Sequence, residues 1–400
     1  MKWLSVVGIG EEGLAGLTPS ARSLVDGAKV LVGGARHLAV VPLDGRERLA
    51  WMSPLSATID DIVRRRGTAI CVLATGDPMH YGVGVALARR IPAEEMAIIP
   101  SPSAVSLACA RLGWAVADVV ALTLHGRPLE LLNAYLQPGA RLVILSDGKK
   151  TPAAVAGLLR SGGFRMSRMW VLEHMGGPEE RVVAGTAETW KALDIADFNT
   201  VAIECAADTA LPVLPRIPGL PDSAFHHDGQ LTKQEVRAIT LAALAPIPGQ
   251  LLWDVGAGCG SVAIEWMRTH HTCRAVAIER DADRRRNIAD NASALGVPGL
   301  DVVAGEAPDA LKALPQPDAA FVGGGLSSAG VVESCWSALK PGGRLVANAV
   351  TIEGEAELVA WQGRTGGALT RIAISRAEPV GGFHGWRQSM PVTQLAATKR

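Results

Sequence analysis

The sequence predicts an α/β protein built from two different domains. Its 400 residues suit two domains of ordinary size. Short apolar runs alternate with helical patterns along the chain, which is typical of folds built on parallel sheets. Residues 207–222 interrupt this alternation with four prolines and no periodicity, so we interpret them as a linker. The predicted domains are therefore 1–206 and 223–400, and no internal repeat relates them.

The composition indicates a globular protein and argues against several classes of partner. Hydrophobic residues make up 48% of the chain and charged residues 20%, as in folded domains. The 39 basic and 39 acidic residues balance, which argues against the broad positive field that nucleic-acid binding needs. Six scattered cysteines without a C-x-x-C pair predict reduced thiols rather than a zinc site or disulfides. We find no signal peptide or membrane span, and expect a cytoplasmic protein.

The clearest motif lies in the C-terminal half, where an apolar strand at 251–255 runs into a glycine-rich turn and a helix. Glycines there allow a tight turn and close approach of a ligand to the backbone. Dinucleotide folds use Gly-x-Gly-x-x-Gly, whereas this turn is Gly-x-Gly-x-Gly preceded by an acid. That difference favours S-adenosylmethionine, whose amino-acid part carries a cationic amine. The predicted cofactor contacts are Asp254, Gly256, Ala257, Gly258, Cys259 and Gly260.

The following strands complete a Rossmann-like pattern. A second strand ends at Glu279, about 20 residues after the glycines, where a doubly wound fold places a ribose-binding carboxylate. A third strand leads to Glu306 and Ala307, which we predict to contact adenine. A fourth runs into three glycines at 323–325. In this order the segments predict a methyltransferase fold for the C-terminal half.

The acceptor of the methyl group is predicted to be nucleophilic by itself. After the fourth strand we find neither an Asn-Pro-Pro-Tyr sequence, which serves amino-group methylation of adenine, nor a Pro-Cys pair, which serves covalent catalysis on pyrimidines. Cys259 and Cys335 are interpreted as small packing residues.

The N-terminal half has glycine-rich loops at the ends of its predicted strands. A strand at 4–7 enters Gly8-Ile9-Gly10, a strand at 69–74 leads to Gly76-Asp77-Pro78, and a strand at 98–101 leads to Pro102-Ser103-Ala104 and a helix. These loops predict a cleft for a small molecule. They do not by themselves identify a reaction.

Together these segments resemble the tetrapyrrole methylase family. The resemblance rests on four segments, namely Val7-Gly8-Ile9-Gly10, Gly76-Asp77-Pro78, Pro100–Ala104 and Glu173-His174-Met175-Gly176-Gly177. The C-terminal half is similar to the CbiT-type methyltransferases of cobalamin biosynthesis, from 221–225 through 231–237, as the N-terminal half is to the CbiE type. The resemblance covers nearly the whole chain. Many relatives have Pro-Gly-x-Ser where this chain has Pro100-Ser101-Pro102-Ser103, so the chain departs from the family's pattern at this predicted helix start.

The resemblance implies a specific reaction. Family members methylate carbons 5 and 15 of a corrin precursor with two S-adenosylmethionines, and they remove the ring C acetate carboxyl as CO2. The N-terminal domain, a two-lobed tetrapyrrole methylase fold, would act on carbon 5, and the C-terminal domain on carbon 15 and the acetate. The partner would be a tetrapyrrole, and we expect a homo-oligomer without nucleic-acid or membrane partners.

The resemblance also implies roles for further residues. The expected cofactor contacts of the N-terminal domain are Gly76, Asp77, Pro78, Ser103 and Ala104. In the C-terminal domain Thr232 would contact the cofactor, although Thr232-x-x-Glu235 also has the pattern of a helix-capping box. The expected substrate contacts are Gly8, Gly10, His226 and His227, with a surface loop as the alternative for the two histidines.

The presumed chemistry needs alignment more than a strong base, because both target carbons are enamine-like positions of a reduced macrocycle. The conjugated ring can itself accept the electrons released by decarboxylation. Two alternatives stay open from the residues alone. One is a methylase of RNA or protein fused to a diphthine synthase-like domain, and the other is a cofactor-binding regulator without turnover.

Overall fold

The computed structural model describes residues 2–191, 194–209 and 212–400. The chain forms two compact units: residues 1–129 with 138–211, and residues 130–137 with 212–400. Each unit has its own sheets and its own hydrophobic core.

The first lobe of the first unit is a parallel sheet of five strands in the order β3-β2-β4-β1-β5. Its strands are β1 (Leu4–Ile9), β2 (Val30–Gly33), β3 (Glu47–Ala50), β4 (Ile70–Thr75) and β5 (Met96–Ile99). Its helices are α1 (Pro19–Asp26), α2 (Ala35–Val40), α3 (Leu55–Arg64) and α4 (Val83–Ala88). The central strands β1 and β4 are almost continuously buried, as expected where helices cover both faces of a parallel sheet.

The second lobe of the first unit is a mixed sheet in the order β6-β7-β10-β8-β9. Its strands are β6 (Val119–Thr123), β7 (Arg141–Leu145), β8 (Arg168–Glu173), β9 (Arg181–Thr186) and β10 (Asn199–Glu204). Its helices are α5 (Ala104–Leu112) and α6 (Thr151–Ser161). Ser103 begins α5 as its N-cap, where the side-chain oxygen accepts a hydrogen bond from the Ser106 amide. The two sheets give the first unit the predicted two-lobed architecture.

The second unit is organised around a seven-stranded sheet in the order β13-β12-β11-β14-β15-β19-β16. Its parallel strands are β11 (Leu251–Val255), β12 (Arg274–Glu279), β13 (Asp301–Ala304), β14 (Ala319–Val322) and β15 (Arg344–Ala349). The remaining strands are β16 (Ala368–Ile372), the hairpin β17 (Ser375–Val380) and β18 (Phe383–Gln388), and β19 (Val392–Thr398), which runs antiparallel to β15. Its helices are α7 (Gln234–Leu244), α8 (Ser261–Thr269), α9 (Ala282–Ala294), α10 (Val331–Ala338) and α11 (Ile352–Thr365).

This sheet is covered on both faces. Leu252 of β11 belongs to one hydrophobic core, while Leu251 and Trp253 of the same strand belong to another. All five residues of β11 are buried, which explains why the strand appears in the sequence as a continuous apolar run apart from Asp254. The order of the strands reverses between β11 and β14. Open α/β sheets bind ligands at such a switch point, outside the carboxyl ends of the strands.

The segment that we interpreted as a linker, residues 207–222, is divided between the two units, because the second unit begins again at residue 212. Leu220 is fully buried in the core of the second unit, and the amides of Gly219 and Leu220 both donate to the buried Glu265 carboxylate. Residues 130–137 also pack with this unit, where the Asn133 side chain donates to the Ser293 carbonyl. The proline-rich stretch from 212 onward is therefore packed structure rather than free connection.

Among the described residues, no helix is long and apolar enough to cross a membrane.

Candidate cofactor sites

The glycine turn after β11 adopts backbone conformations that only glycine tolerates well. Gly256, Gly258 and Gly260 have φ angles of +69°, +59° and +79°. A Cβ atom on Gly256 would lie 2.7 Å from the Cα atom of Gly324, in the loop after β14. The turn is therefore pressed against the neighbouring strand end, and it leaves space for a ligand beside the backbone.

Asp254 is a buried carboxyl group with an unused hydrogen-bonding atom. Its Oδ2 accepts from the Ala263 amide at 3.0 Å, while its Oδ1 has no partner among the described residues. Burial raises the pKa of Asp254 to about 7. The negative charge of the nearby Glu279 also raises this pKa, whereas the hydrogen bond from the Ala263 amide lowers it. A cationic group arriving beside Oδ1 would remove this penalty, and the amine of S-adenosylmethionine is such a group.

Glu279 ends β12 beside the glycine turn and is 5% exposed. Its Oε2 accepts from the Gly258 amide at 2.9 Å, and its Oε1 accepts from the Asp281 amide at 3.0 Å. The carboxylate is thus fixed in place and lines a cavity of about 320 Å³. Ala307 and Glu306 line the same cavity, but Glu306 is largely exposed and pairs with Arg280 at 3.2 Å.

A second, wider cavity of about 640 Å³ opens beside the first. Both are lined by Gln230, Gly256, Arg284 and Gly324, so they adjoin across the glycine turn. We call the smaller one the strand-end cavity and the larger one the wide cavity. Asp254, Ala257 and Gly258 also line the wide cavity. Together the two cavities provide an extended site along the carboxyl ends of β11, β12 and β14.

Thr232 lines the wide cavity, but the capping box does not form. Helix α7 begins at Gln234 with Lys233 as its N-cap, and no side chain caps it. The Glu235 carboxylate pairs instead with Arg376 at 2.5 Å, and the Thr232 carbonyl accepts from Arg237. The expectation of a capping box is therefore wrong, because a distant arginine binds the glutamate that would close it.

The other predicted residues of this unit lie outside the two cavities. Cys259 is buried in the hydrophobic core, and Gly260 begins α8 as its N-cap. The His226 backbone amide and carbonyl both bond the Asn291 side chain, and His227 accepts from the Gly229 amide. Neither histidine lines the strand-end cavity or the wide cavity. Their position fits the surface-loop alternative, and a substrate contact stays a prediction.

The first unit holds a cavity of about 610 Å³ lined by both of its lobes. Asp77, Ser103 and Ala104, three of the expected cofactor contacts, line it, and their contact with a cofactor stays a prediction. Asp77 Oδ1 accepts from the Met79 amide at 2.8 Å, which orders the turn after β4. Gly76 has φ +54° and lines an adjoining cavity of about 40 Å³, while Pro78 is buried and accepts from the Gly84 amide through its carbonyl.

Gly8 and Gly10, near the start of the chain, have different surroundings. A Cβ atom on Gly8 would lie 1.9 Å from the Gly76 carbonyl oxygen, so a glycine at this position allows β1 to pack against the turn after β4. Gly10 lines the small cavity and has no atom within 4 Å of its Cβ position. Gly10 is therefore open to a ligand, whereas the position of Gly8 does not favour a direct substrate contact.

Comparison with known proteins assigns each unit to a family. Residues 4–190 match the tetrapyrrole (corrin/porphyrin) methylases, and residues 223–399 match the precorrin methyltransferase domain. A precorrin-6Y C(5,15)-methyltransferase (decarboxylating) from Sinorhizobium sp is 51% identical over 398 residues, which cover 99% of this chain and 96% of that protein. The chain belongs to the decarboxylating precorrin-6Y C(5,15)-methyltransferase family.

Further relatives support this assignment. The protein of the same name from Mycobacterium tuberculosis is 44% identical over 402 residues, with 99% of both chains covered. A cobalt-precorrin-7 C(5)-methyltransferase from Salmonella typhimurium is 34% identical over 179 residues, covering 45% of this chain and 88% of that one. In this methyltransferase family the methyl donor is S-adenosylmethionine.

Several further residues that line these sites were not predicted from the sequence. In the second unit, Arg284, Arg376 and Asn348 line the wide cavity. In the first unit, Arg36, Asp147 and Asn199 line the large cavity, and Glu11 and His174 line the small one. The described lining of the large cavity combines Arg36 and three histidines with three aspartates, namely His37, His80, His125, Asp77, Asp147 and Asp197.

Proposed function

We propose that this chain converts precorrin-6Y to precorrin-8X in cobalamin biosynthesis. It transfers two methyl groups from S-adenosylmethionine, to carbons 5 and 15, and removes the ring C acetate carboxyl as CO2. The observation that carries the proposal is the presence of two methylase units in one chain, each with its own glycine-shaped cavity. The first unit acts on carbon 5, and the second unit acts on carbon 15 and the acetate.

In the second unit the fixed groups around the glycine turn bind the methyl donor. S-adenosylmethionine supplies an activated methyl group on a sulfonium. The unpartnered Oδ1 of Asp254 pairs with its amine, and the Glu279 carboxylate accepts hydrogen bonds from the ribose hydroxyls. Ala307 forms part of the wall for the adenine. These groups are in place before binding, so they contribute alignment of the methyl group with its acceptor.

The wide cavity accommodates the macrocycle. Its lining includes three cationic side chains, Lys233, Arg284 and Arg376, which suit the carboxylates of a corrin precursor. Arg376 pairs with Glu235, and Arg284 lies 2.8 Å from Asp228, so an acid already positions each of these two arginines. The apolar residues Phe321, Ile372 and Val392 provide the wall against which the ring packs.

In the first unit Asp77, Ser103 and Ala104 line the large cavity and bind the second molecule of the donor. Gly76 and Pro78 shape the turn that carries Asp77. Gly10 borders the adjoining small cavity and faces the substrate.

The test is the mass of the product formed by the full chain from precorrin-6Y and S-adenosylmethionine. The expected product has gained two methyl groups and lost one CO2. A product with one methyl group, or one that keeps the carboxyl, would restrict the activity to part of the reaction. No change in mass would reject the proposal. We also propose a cytoplasmic location and a homo-oligomer, which cell fractionation and light scattering would test.

A further inference from the structure

His174 is a strained residue at the cavities of the first unit. It follows β8 and has φ +46°, a left-handed conformation that is unusual for a residue with a side chain. Such strain persists only where the surroundings impose it, and it is often found at functional sites. His174 lines the small cavity, which shares Thr75, Ala104 and Phe198 with the large one.

A carboxylate determines which nitrogen of His174 carries the proton. The ring atom Nδ1 lies 3.0 Å from Glu11 Oε2, in the loop after β1. An ionised carboxylate only accepts hydrogen bonds, so Nδ1 donates, and in the neutral imidazole Nε2 then carries the lone pair. The other oxygen of Glu11 accepts from Arg36 of α2, whose guanidinium stacks on Phe198 at 4.0 Å. Glu11 is thus held from two sides.

The opposite nitrogen of His174 remains available. Its Nε2 lies 4.0 Å from Glu179 Oε2, beyond hydrogen-bonding distance, and makes no hydrogen bond within the described part of the chain. Glu179 is mostly exposed, whereas the side chains of His174 and Glu11 are largely shielded from solvent. Glu173, which precedes His174, is bound by Arg181 and the Ala196 amide, and Glu180 of the same loop is bound by Arg111 and the Gly176 amide.

The three histidines that line the adjoining large cavity are less suited to accept a proton from a substrate. Burial and the neighbouring Arg36 lower the pKa of His37 to about 4, which makes it a weak base. His125 pairs with Asp147 at 3.1 Å, but the side chains are 84% and 57% exposed, so water screens that pair. His80 stacks on Tyr81.

We propose that His174 is the base that removes the proton from the carbon methylated by the first unit, and that Glu11 positions it. This inference rests on the proposed function. The meso carbon of the substrate forms a bond to the methyl group, while the S–C bond breaks and its electron pair stays on sulfur. The substrate then carries a positive charge, conjugated with a ring nitrogen. Transfer of the meso hydrogen as a proton to Nε2 returns the C–H electron pair to the ring, and Glu11 stabilises the imidazolium.

The experiment compares full-length variants that suit the backbone at residue 174. Asparagine tolerates a positive φ and cannot act as a base near neutral pH, and glycine also leaves room for added imidazole. With precorrin-6Y and labelled S-adenosylmethionine, His174→Asn should slow methylation at carbon 5 by about a hundredfold or more. Its rate should no longer rise with pH, and imidazole should partly restore His174→Gly. Glu11→Gln should cause a smaller loss, about tenfold, because an amide holds the ring without stabilising its charge.

Two further measurements make the outcome decisive. ¹⁵N NMR of the wild-type protein should show His174 protonated at Nδ1 and bare at Nε2, and the opposite tautomer would overturn the proposal. His125→Asn is the matched comparison, and loss of the pH dependence in that variant alone would assign the base to the exposed pair instead. Two results would overturn the proposal and leave His174 with a structural role. One is full methylation at carbon 5 by His174→Asn. The other is a slower rate that still rises with pH in His174→Asn and that added imidazole does not restore in His174→Gly. If the wild type methylates neither carbon, the proposed function itself has failed.

Discussion

At the level of single residues, a substitution of Glu279 should distinguish the two cofactor sites, because it affects only the second unit. Glu279→Ala removes the carboxylate that accepts from Gly258 and that we assign to the ribose hydroxyls. Hydrogen bonds to a charged group contribute roughly 1.5–3 kcal/mol, so cofactor affinity of the second unit should fall about ten- to hundredfold. Methylation at carbon 15 should weaken and methylation at carbon 5 should not. NMR of the product formed with labelled methyl groups reports each position.

Asp309→Asn is the control for that variant. Asp309 belongs to the same unit but lines neither of the two cavities, is 84% exposed and pairs with Lys312, and exposed pairs contribute at most about 1 kcal/mol. We expect little change at either carbon. Equal loss at both carbons in Glu279→Ala would indicate one shared cofactor site and contradict the two-site assignment.

The raised pKa of Asp254 predicts that the stability of the cofactor-free protein depends on pH. Its pKa is raised from an ordinary 3.8 to about 7, so the folded state binds a proton that the unfolded chain has released. Stability should therefore decrease as the pH rises from about 4 to about 7, the range between the unfolded and folded pKa values. Asp254→Asn should lack this decrease, which denaturant unfolding at several pH values would measure.

The same carboxyl predicts the pH dependence of binding. A cationic amine favours the ionised form of Asp254, so cofactor affinity of the second unit should fall as the pH drops below about 7. Calorimetric titration of the full chain should detect this change in one of two sites. Affinity that does not vary with pH, or an Asp254→Asn variant that binds as tightly as the wild type, would argue against the pairing.

At the scale of elements, the turn between β11 and α8 requires glycine for two reasons. In Gly256→Ala the new methyl group would lie 2.7 Å from Gly324 Cα in a left-handed conformation. The backbone strain alone costs roughly 1–2 kcal/mol, and relief of the clash would move the turn. We expect cofactor binding by the second unit to be lost or strongly weakened, as measured by calorimetry.

The variant Gly366→Ala separates the effect of left-handed backbone strain from the effect of a steric clash such as the one at Gly256. Gly366 ends α11 with φ +67°, and its Cβ position has no atom within 4 Å. This variant should lose about 1 kcal/mol of stability and keep its cofactor affinity. If both glycine variants bind the cofactor equally well, the approach of the turn to Gly324 does not shape the site.

The capping box shows why local patterns were not sufficient at this scale. Thr232-x-x-Glu235 has the right spacing, yet Glu235 pairs with Arg376, 141 positions later in the chain. The sequence contains both residues but does not say that β17 brings Arg376 to the start of α7. The glycine turn was predictable because its constraint lies within five consecutive residues.

At the scale of the whole molecule, residues 212–222 belong to the second compact unit. A fragment of residues 223–400 lacks Leu220, which is fully buried, and the two amides that donate to Glu265. Removal of a buried leucine side chain costs roughly 2–5 kcal/mol. We expect the fragment 212–400 to fold, to bind S-adenosylmethionine, and to melt at a clearly higher temperature than 223–400.

Thermal melts with and without cofactor would measure this difference, since a ligand that binds only the folded state raises the melting temperature. Equal melting temperatures would show that residues 212–222 contribute no stability. A fragment 212–400 that stays unfolded would mean that this unit requires the first half of the chain, including residues 130–137.

The α/β class, the glycine turns and the order of acidic strand ends could be predicted from the sequence, because these features depend on neighbouring residues and on buried strands. Which distant side chains meet became clear only from the packing of the folded chain. Glu11 and His174 are 163 positions apart and bond in the first unit, and Arg237 and Glu265 form a buried pair in the second. Such contacts depend on how helices and strands pack, and a single sequence carries no local signal of that packing.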